Sequence, residues 1–156
     1  MIKVLFICHG NICRSPMAEY IMKDLVEKAG LEGMFQIASA ATSMEEIGNP
    51  VYPPARRELA KHGILAQGHQ ARRIERKDYQ EYDYLIAMEQ YNIRNMMRIL
   101  GTDPEGKVSL LLDYTSQPGD IDDPWYTGDF AGVYRQILEG CQGFLQYLRE
   151  RGRLKV

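Results

Sequence analysis

Residues Ile2–Ile7 form a run that is apolar except for Lys3, and it passes straight into Cys8-His9-Gly10-Asn11-Ile12-Cys13-Arg14-Ser15. A helical repeat follows from Pro16 to about Ala29, with Ala18, Ile21, Met22, Leu25 and Ala29 on one face and Gly30 as its stop. An apolar run without alternation predicts a central parallel strand covered on both faces. Strand, tight loop and helix start, in that order, point to an α/β fold with the loop at the carboxyl end of a strand. Ser15 and Pro16 read as N-cap and first helical residue.

The loop opens on a thiol and carries a guanidinium six residues later. Bare Cys-x5-Arg spacing is common by chance. Gly10, Asn11, Ser15-Pro16 and the flanking strand and helix set this case against the plain alternative of a βα turn with an incidental cysteine. A loop curling into a helix N-terminus aims several N–H groups at one point, and the helix dipole adds positive potential there, so the expectation is a cradle for a phosphate dianion. Gly10 lets the backbone pass close to the anion, and Asn11 tolerates a left-handed conformation. Ile12 and Cys13 contribute their amides, and Arg14 can grip two phosphoryl oxygens at once. The same field favours a thiolate at Cys8, a competent nucleophile toward phosphorus, and the Ser15 hydroxyl can donate to that sulfur.

The chain has 156 residues, 45% hydrophobic and 26% charged, with a net charge of −2. That composition fits one globular domain over residues 1–156. The charge offers no nucleic-acid or anionic-membrane partner, and no apolar run reaches spanning length. Met1–Ile7 is too short for a signal peptide, and two of the three cysteines share one loop, so a disulfide framework is not expected. A reducing cytoplasm suits such a chain.

Further along, Phe35–Ala40 reads as a second strand and Ala41–Pro54, with Gly48, Pro50, Pro53 and Pro54, as a loop. A helix is expected from about Pro54 to His62, stopped by Gly63, with His62 as a C-terminal dipole partner. Gly63–Arg76 is a basic loop holding Arg72, Arg73 and Arg76, and Glu75–Glu81 a short helical turn. Tyr84–Met88 and Val108–Leu112 read as strands. Glu89–Leu100 reads as a helix through Ile93, Met96, Met97 and Leu100. Phe130–Gly152 is the longest helix, with Val133, Ile137, Cys141, Leu145 and Leu148 on its apolar stripe, where Cys141 is a core residue. The alternation predicts a doubly wound, four-stranded parallel sheet flanked by helices. Loops 8–14 and 113–127, about 100 residues apart in sequence, then share the carboxyl edge of that sheet.

Loop 113–127 holds Asp113, Asp120, Asp122, Asp123, Pro124, Trp125 and Tyr126, and no Lys or Arg occurs between Lys107 and Arg135. Carboxylates facing a phosphate repel it, unless one is needed as an acid. A departing oxygen must be protonated as its bond to phosphorus breaks, and nearby negative charge with partial burial raises a carboxyl pKa for that task. Pro124 fixes the direction of Asp123, and Asp122 is the fallback. Trp125 and Tyr126 either wall a slot for a phenyl ring or pack the loop against the core.

Cys8–Arg14 with Ser15-Pro16 at the start of the chain, and Asp123-Pro124-Trp125-Tyr126 near its end, resemble the low-molecular-weight protein tyrosine phosphatases. The similarity extends over most of the chain. It implies a hydrolase of phosphotyrosine in proteins, and the chain is expected to work as a monomer or weak homodimer without a cofactor. Cys8 would be the nucleophile, Arg14 the phosphate clamp and Asp123 the general acid and base. It implies a hydrogen-bond network of Asn11, Ser15, Ser39 and His69 behind the loop. It also implies a reversible Cys8–Cys13 disulfide; the alternative for Cys13 is a small buried side chain. His9 occupies a variable position on the substrate side. The chain departs from the family in Glu45 where an aromatic is frequent, Tyr52 where Asp is frequent, and Glu89 in place of an Asp.

Two rivals use the same scaffold. The protein-arginine phosphatases resemble this loop with Thr where Ile12 stands and a single Phe-type aromatic after Asp-Pro. Thiol-dependent arsenate reductases pass a disulfide through two further cysteines, and only Cys141 lies outside the loop here. No His/Cys/Asp cluster has metal-ligand spacing.

Overall fold

A computed structural model of the chain describes residues 1–154. β1 (Ile2–Cys8) lies between β2 (Phe35–Ala41) and β3 (Tyr84–Ala87), and β4 (Val108–Leu110) pairs with β3. The order is β2-β1-β3-β4 and every pair is parallel. The expected doubly wound sheet is therefore present. Its register aligns Cys8 with Ala41, Ile7 with Ala87, and Ala87 with Leu110, so four chain segments leave the sheet at one edge. The chain moves from β1 to β2 on one side and to β3 on the other. The crevice of such a sheet opens at that reversal, beyond the carboxyl end of β1.

The apolar run Val4–Cys8 of β1 has a direct cause. Val4, Phe6 and Cys8 belong to one buried cluster, with Met17, Ile21 and Met22 of α1 (Arg14–Lys28) and Ile137, Phe144 and Leu148 of α6 (Phe130–Glu150). Leu5 and Ile7 belong to the other, with Ile74, Tyr79, Leu85, and Met96 and Leu100 of α4 (Gln90–Leu100). Burying one such side chain stabilises the fold by roughly 1.5–3 kcal/mol, so both faces of β1 anchor the loop that follows it. The remaining helices are α2 (Pro53–Lys61), a single turn α3 (Asp78–Glu81), and a single turn α5 (Pro124–Thr127). Among the described residues no helix is long and apolar enough to cross a membrane.

Several expectations are corrected in detail. Helix α1 begins at Arg14, and Ser15 lies inside its first turn rather than at the N-cap. Cys13 takes the N-cap position and, among the described residues, makes no side-chain cap bond, which leaves first-turn N–H groups facing the loop. Ala29 is exposed, and Val26 is buried in its stead. Strand β4 ends at Leu110. Leu111–Tyr114 turns into a 3-10 helix, with Asp113 Oδ2 accepting the Leu110 N–H at 2.9 Å. This turn lies directly on α6, where a methyl on Gly140 would collide with the Leu111 side chain and one on Gly143 with the Tyr114 carbonyl oxygen. The close approach aims the chain back across the sheet edge, toward the acidic loop. His62 ends α2, stacked on Tyr134 at 3.7 Å and 3.2 Å from Glu58 Oε2, so its partners are a ring and a carboxylate as well as a helix end.

Candidate active site

The crevice beyond β1 holds a cavity lined by Cys8, His9, Gly10, Ile12, Cys13, Arg14, Glu45, Glu46, Asp123, Trp125 and Tyr126. Both loops picked out by sequence thus meet at one point. Asn11 is fully buried with φ 60°, the one non-glycine positive φ among the described residues, as its residue type allows. That conformation curls the loop so that the Asn11 N–H points at Cys8 Sγ, 3.3 Å away. The Ser15 hydroxyl lies 3.0 Å from the same sulfur. Gly10 takes no positive φ, and a side chain there would meet Glu46 Cγ at 3.4 Å, an ordinary contact at the cavity mouth.

The loop is held from behind. Asn11 Nδ2 donates to Ser15 Oγ (2.8 Å) and to Ser39 Oγ (2.9 Å), and Asn11 Oδ1 accepts the Arg72 N–H (3.1 Å). His69 Nε2 lies 2.7 Å from the Asn11 carbonyl oxygen. The Ser39 hydroxyl donates a hydrogen bond to Glu19 Oε1 at 2.6 Å, and Glu19 is itself buried. Asn11→Ala removes three bonds and leaves alanine in a left-handed conformation. The expected cost is roughly 2–4 kcal/mol, read as a lower urea midpoint with an unchanged m value.

Arg14 is 2% exposed. Its Nη1 donates to Glu89 Oε2 and to the Ile121 carbonyl oxygen (2.8 Å), and its Nη2 lies 3.4 Å from Asp123 Oδ2. Burial works against the guanidinium charge, but Cys8, Asp123 and Glu89 outweigh it and hold the pKa above the ordinary arginine value. A permanent cation therefore sits beside the thiol. Cys13 differs: burial first, then the charges of Cys8 and Asp123, push its thiol up, so it stays protonated next to Cys8. All three cysteines are free; Cys141 is fully buried in the core and its thiol is likewise raised by burial.

Asp123 sits at the N-cap of α5, with Oδ1 accepting the Trp125 N–H at 3.0 Å. Asp122 lines a neighbouring groove instead, with His9, Glu89, Tyr91 and Asp120. Asp120 Oδ1 caps α4 by accepting the Gln90 N–H (2.9 Å), and Asp113 serves its 3-10 turn. The acidic loop thus has separate tasks for its carboxylates, and of the four only Asp123 reaches the cavity of Cys8. Trp125 and Tyr126 are 50% and 83% exposed and line that cavity rather than the core. His9 stands between cavity and groove, its Nε2 3.1 Å from Glu45 Oε2 across the mouth.

Residue patterns did not single out Glu89, Glu19 or Glu46 as parts of the site. Glu89 had a local signal: it stands two residues after Ala87, the last residue of β3, on the edge where ligands bind. Glu19 had none, because it reaches Ser39 from a different element.

The chain matches the family model described as low molecular weight phosphotyrosine protein phosphatase over residues 3–154. It is 40% identical over 156 residues to the low molecular weight protein-tyrosine-phosphatase YfkJ of Bacillus subtilis, covering 99% of this chain and 100% of that one. The crystal structure of YfkJ superposes with a TM-score of 0.93 over 97% of this chain and 96% of that one. The low molecular weight phosphotyrosine protein phosphatase of Schizosaccharomyces pombe is 42% identical over 151 residues, 93% of this chain and 96% of that one. A Drosophila arginine phosphatase is also similar in structure, with a TM-score of 0.83 and 36% identity over 94% of this chain and 97% of that one.

Proposed function

The chain belongs to the low molecular weight phosphotyrosine protein phosphatase family, and from that premise we propose how its residues hydrolyse phosphotyrosine in proteins. The Cys8 thiolate attacks phosphorus in line with the tyrosyl oxygen. Arg14 and the loop amides hold the three remaining phosphoryl oxygens, where charge builds in the transition state. Asp123, protonated, gives its proton to the tyrosyl oxygen as the P–O bond breaks, and tyrosine leaves. The phosphocysteine remains. Asp123, now a carboxylate, takes a proton from a water that attacks phosphorus, the S–P bond breaks, and phosphate departs with the thiolate restored. The observation that carries this reading is that a thiol, a buried guanidinium and a carboxylate from two distant loops line one cavity. A reducing cytoplasm suits a mechanism that depends on a free thiolate.

The arginine phosphatase reading has a structural neighbour in its favour. Against it, Ile12 is an apolar side chain packed with Cys13 and Ala71, with no hydroxyl to orient attack on a P–N bond. Trp125 and Tyr126 supply two aromatic surfaces at the mouth. Matched phosphotyrosine and phosphoarginine peptides, assayed side by side for phosphate release, separate the two. Phosphotyrosine is expected to be favoured in kcat/KM by at least about 100-fold, a difference of about 2.7 kcal/mol in transition-state binding. Equal rates, or a preference for phosphoarginine, would assign the chain to the other branch. An arsenate reductase relay lacks a partner: Cys141 is fully buried and lines neither the cavity nor the groove beside it.

A further inference from the structure

Tyr52 joins the two loops that make the active site. Its N–H donates to the Ile12 carbonyl oxygen of the phosphate cradle at 2.9 Å. Its ring packs against Trp125, centroids 4.7 Å apart and planes 48° apart, and lies 6.1 Å from the ring of Phe130. Trp125 stands two residues after Asp123, and Phe130 opens α6 where the acidic loop ends. One side chain therefore meets both the middle and the end of the segment that carries the carboxyl group, while its own backbone is tied to the loop that carries the thiol.

The anchor is stiff. Tyr52 precedes Pro53 and Pro54, holds φ −56° and ψ 133°, and starts α2, its carbonyl accepting the Arg56 N–H at 3.0 Å. The proline confines the preceding residue to this extended region, so the backbone that carries the Tyr52 ring is fixed independently of the acidic loop. The acidic loop needs such an anchor. Of residues 122–129 only Pro124 is buried, and Asp123 is half-buried. Asp123 cannot serve as proton donor and as the tether of its own loop, and its contact with Arg14 is the one that a bound phosphate disturbs. The Trp125 ring on Tyr52 is a side-chain contact that involves neither Asp123 nor Arg14, so it can hold the loop during turnover. Aromatic pairs of this kind contribute beyond their buried area.

We propose that Tyr52 is a positioning residue, which sets the distance between the Asp123 carboxyl group and the Cys8 cradle by clamping Trp125 and Phe130. The proposal rests on Asp123 being the acid of the preceding section. Its signature is selective. Loss of the clamp weakens protonation of the leaving oxygen and leaves phosphate capture intact, so the penalty grows as the leaving phenol becomes more basic. A displacement of this kind is worth one to two orders of magnitude.

The test compares kcat/KM for p-nitrophenyl phosphate, an acidic leaving group, with that for phenyl phosphate, a basic one. Tyr52→Ala and Tyr52→Leu are measured beside Tyr52→Phe, with the inhibition constant of inorganic phosphate as the control for the cradle. Tyr52→Ala and Tyr52→Leu are expected to lose about 10–100-fold on phenyl phosphate and less than about 3-fold on p-nitrophenyl phosphate, with phosphate inhibition unchanged; Tyr52→Phe should keep the wild-type ratio. In an Asp123→Asn background Tyr52→Leu should cost nothing further. Equal losses on both substrates in both non-aromatic variants, no loss in either, full additivity with Asp123→Asn, or failure of phenylalanine to restore the ratio would each overturn the proposal. An Asp123→Asn variant that keeps wild-type activity would instead overturn the reading beneath it.

Discussion

Cys8→Ser is expected to lose at least about 10⁴-fold in turnover while still binding inorganic phosphate. The loss corresponds to about 5 kcal/mol or more of transition-state stabilisation. A serine hydroxyl keeps the shape of the site but gives up its proton far less readily than a thiol, so the attacking anion is missing. The Ser15 hydroxyl and the Asn11 N–H, both set on the sulfur, favour an anion at that position and cannot make an alkoxide of a serine. Binding survives because none of the proposed phosphate contacts comes from position 8. Arg14 is buried and held by Glu89 and Ile121, and the curl of the loop depends on Asn11 with its four partners. Loss of the thiolate charge proposed for Cys8 should even tighten capture of a dianion. Stopped assays with phenyl phosphate and calorimetric titration with phosphate check the two halves. Residual turnover within tenfold of the parent would place the nucleophile elsewhere. Lost phosphate affinity in a folded variant would mean that the cradle is not built from amides and Arg14.

The parts of this site that a linear reading finds are those whose cause is local. The buried run of β1, the left-handed Asn11 and the proline that aims Asp123 each follow from a residue and its immediate neighbours. The missing parts are contacts between segments far apart in the chain. Glu89 meets Arg14 across 75 positions, and Ser39 meets Glu19 across 20, and no periodicity marks such pairs. Ser before Pro is a strong capping pattern, which on local grounds puts Ser15 at the N-cap. The fold uses its hydroxyl for the sulfur and starts the helix one residue earlier. Leu111 and Leu112 continue the apolar pattern of β4, yet the notch at Gly140 and Gly143 on α6 turns them into a 3-10 helix. In each case tertiary packing overrode a sound local preference, and in each the override lies at or leads into the site.

Asp123→Asn isolates the proton from the geometry. Asparagine can keep the N-cap bond, with its carbonyl oxygen accepting the Trp125 N–H as Oδ1 does now, so α5 and the aromatic wall stay in place. What it cannot do is give a proton to a tyrosyl oxygen. General acid catalysis of this kind contributes about 10²–10⁴-fold, and a loss in that range is expected in kcat/KM for phenyl phosphate. The loss should shrink on phenols acidic enough to leave unaided. On those acidic phenols the phosphocysteine should accumulate, because its hydrolysis needs the same carboxylate as a base, and a burst of the released phenol would reveal it. Asp122→Asn is the matched control. That side chain is exposed, lines the adjacent groove and does not reach the cavity of Cys8, so a change below about threefold is expected. The reverse pattern, with Asp122→Asn crippled and Asp123→Asn active, would move the acid by one residue. It would also require the loop to rearrange during catalysis, since Asp123, not Asp122, lines the cavity of Cys8.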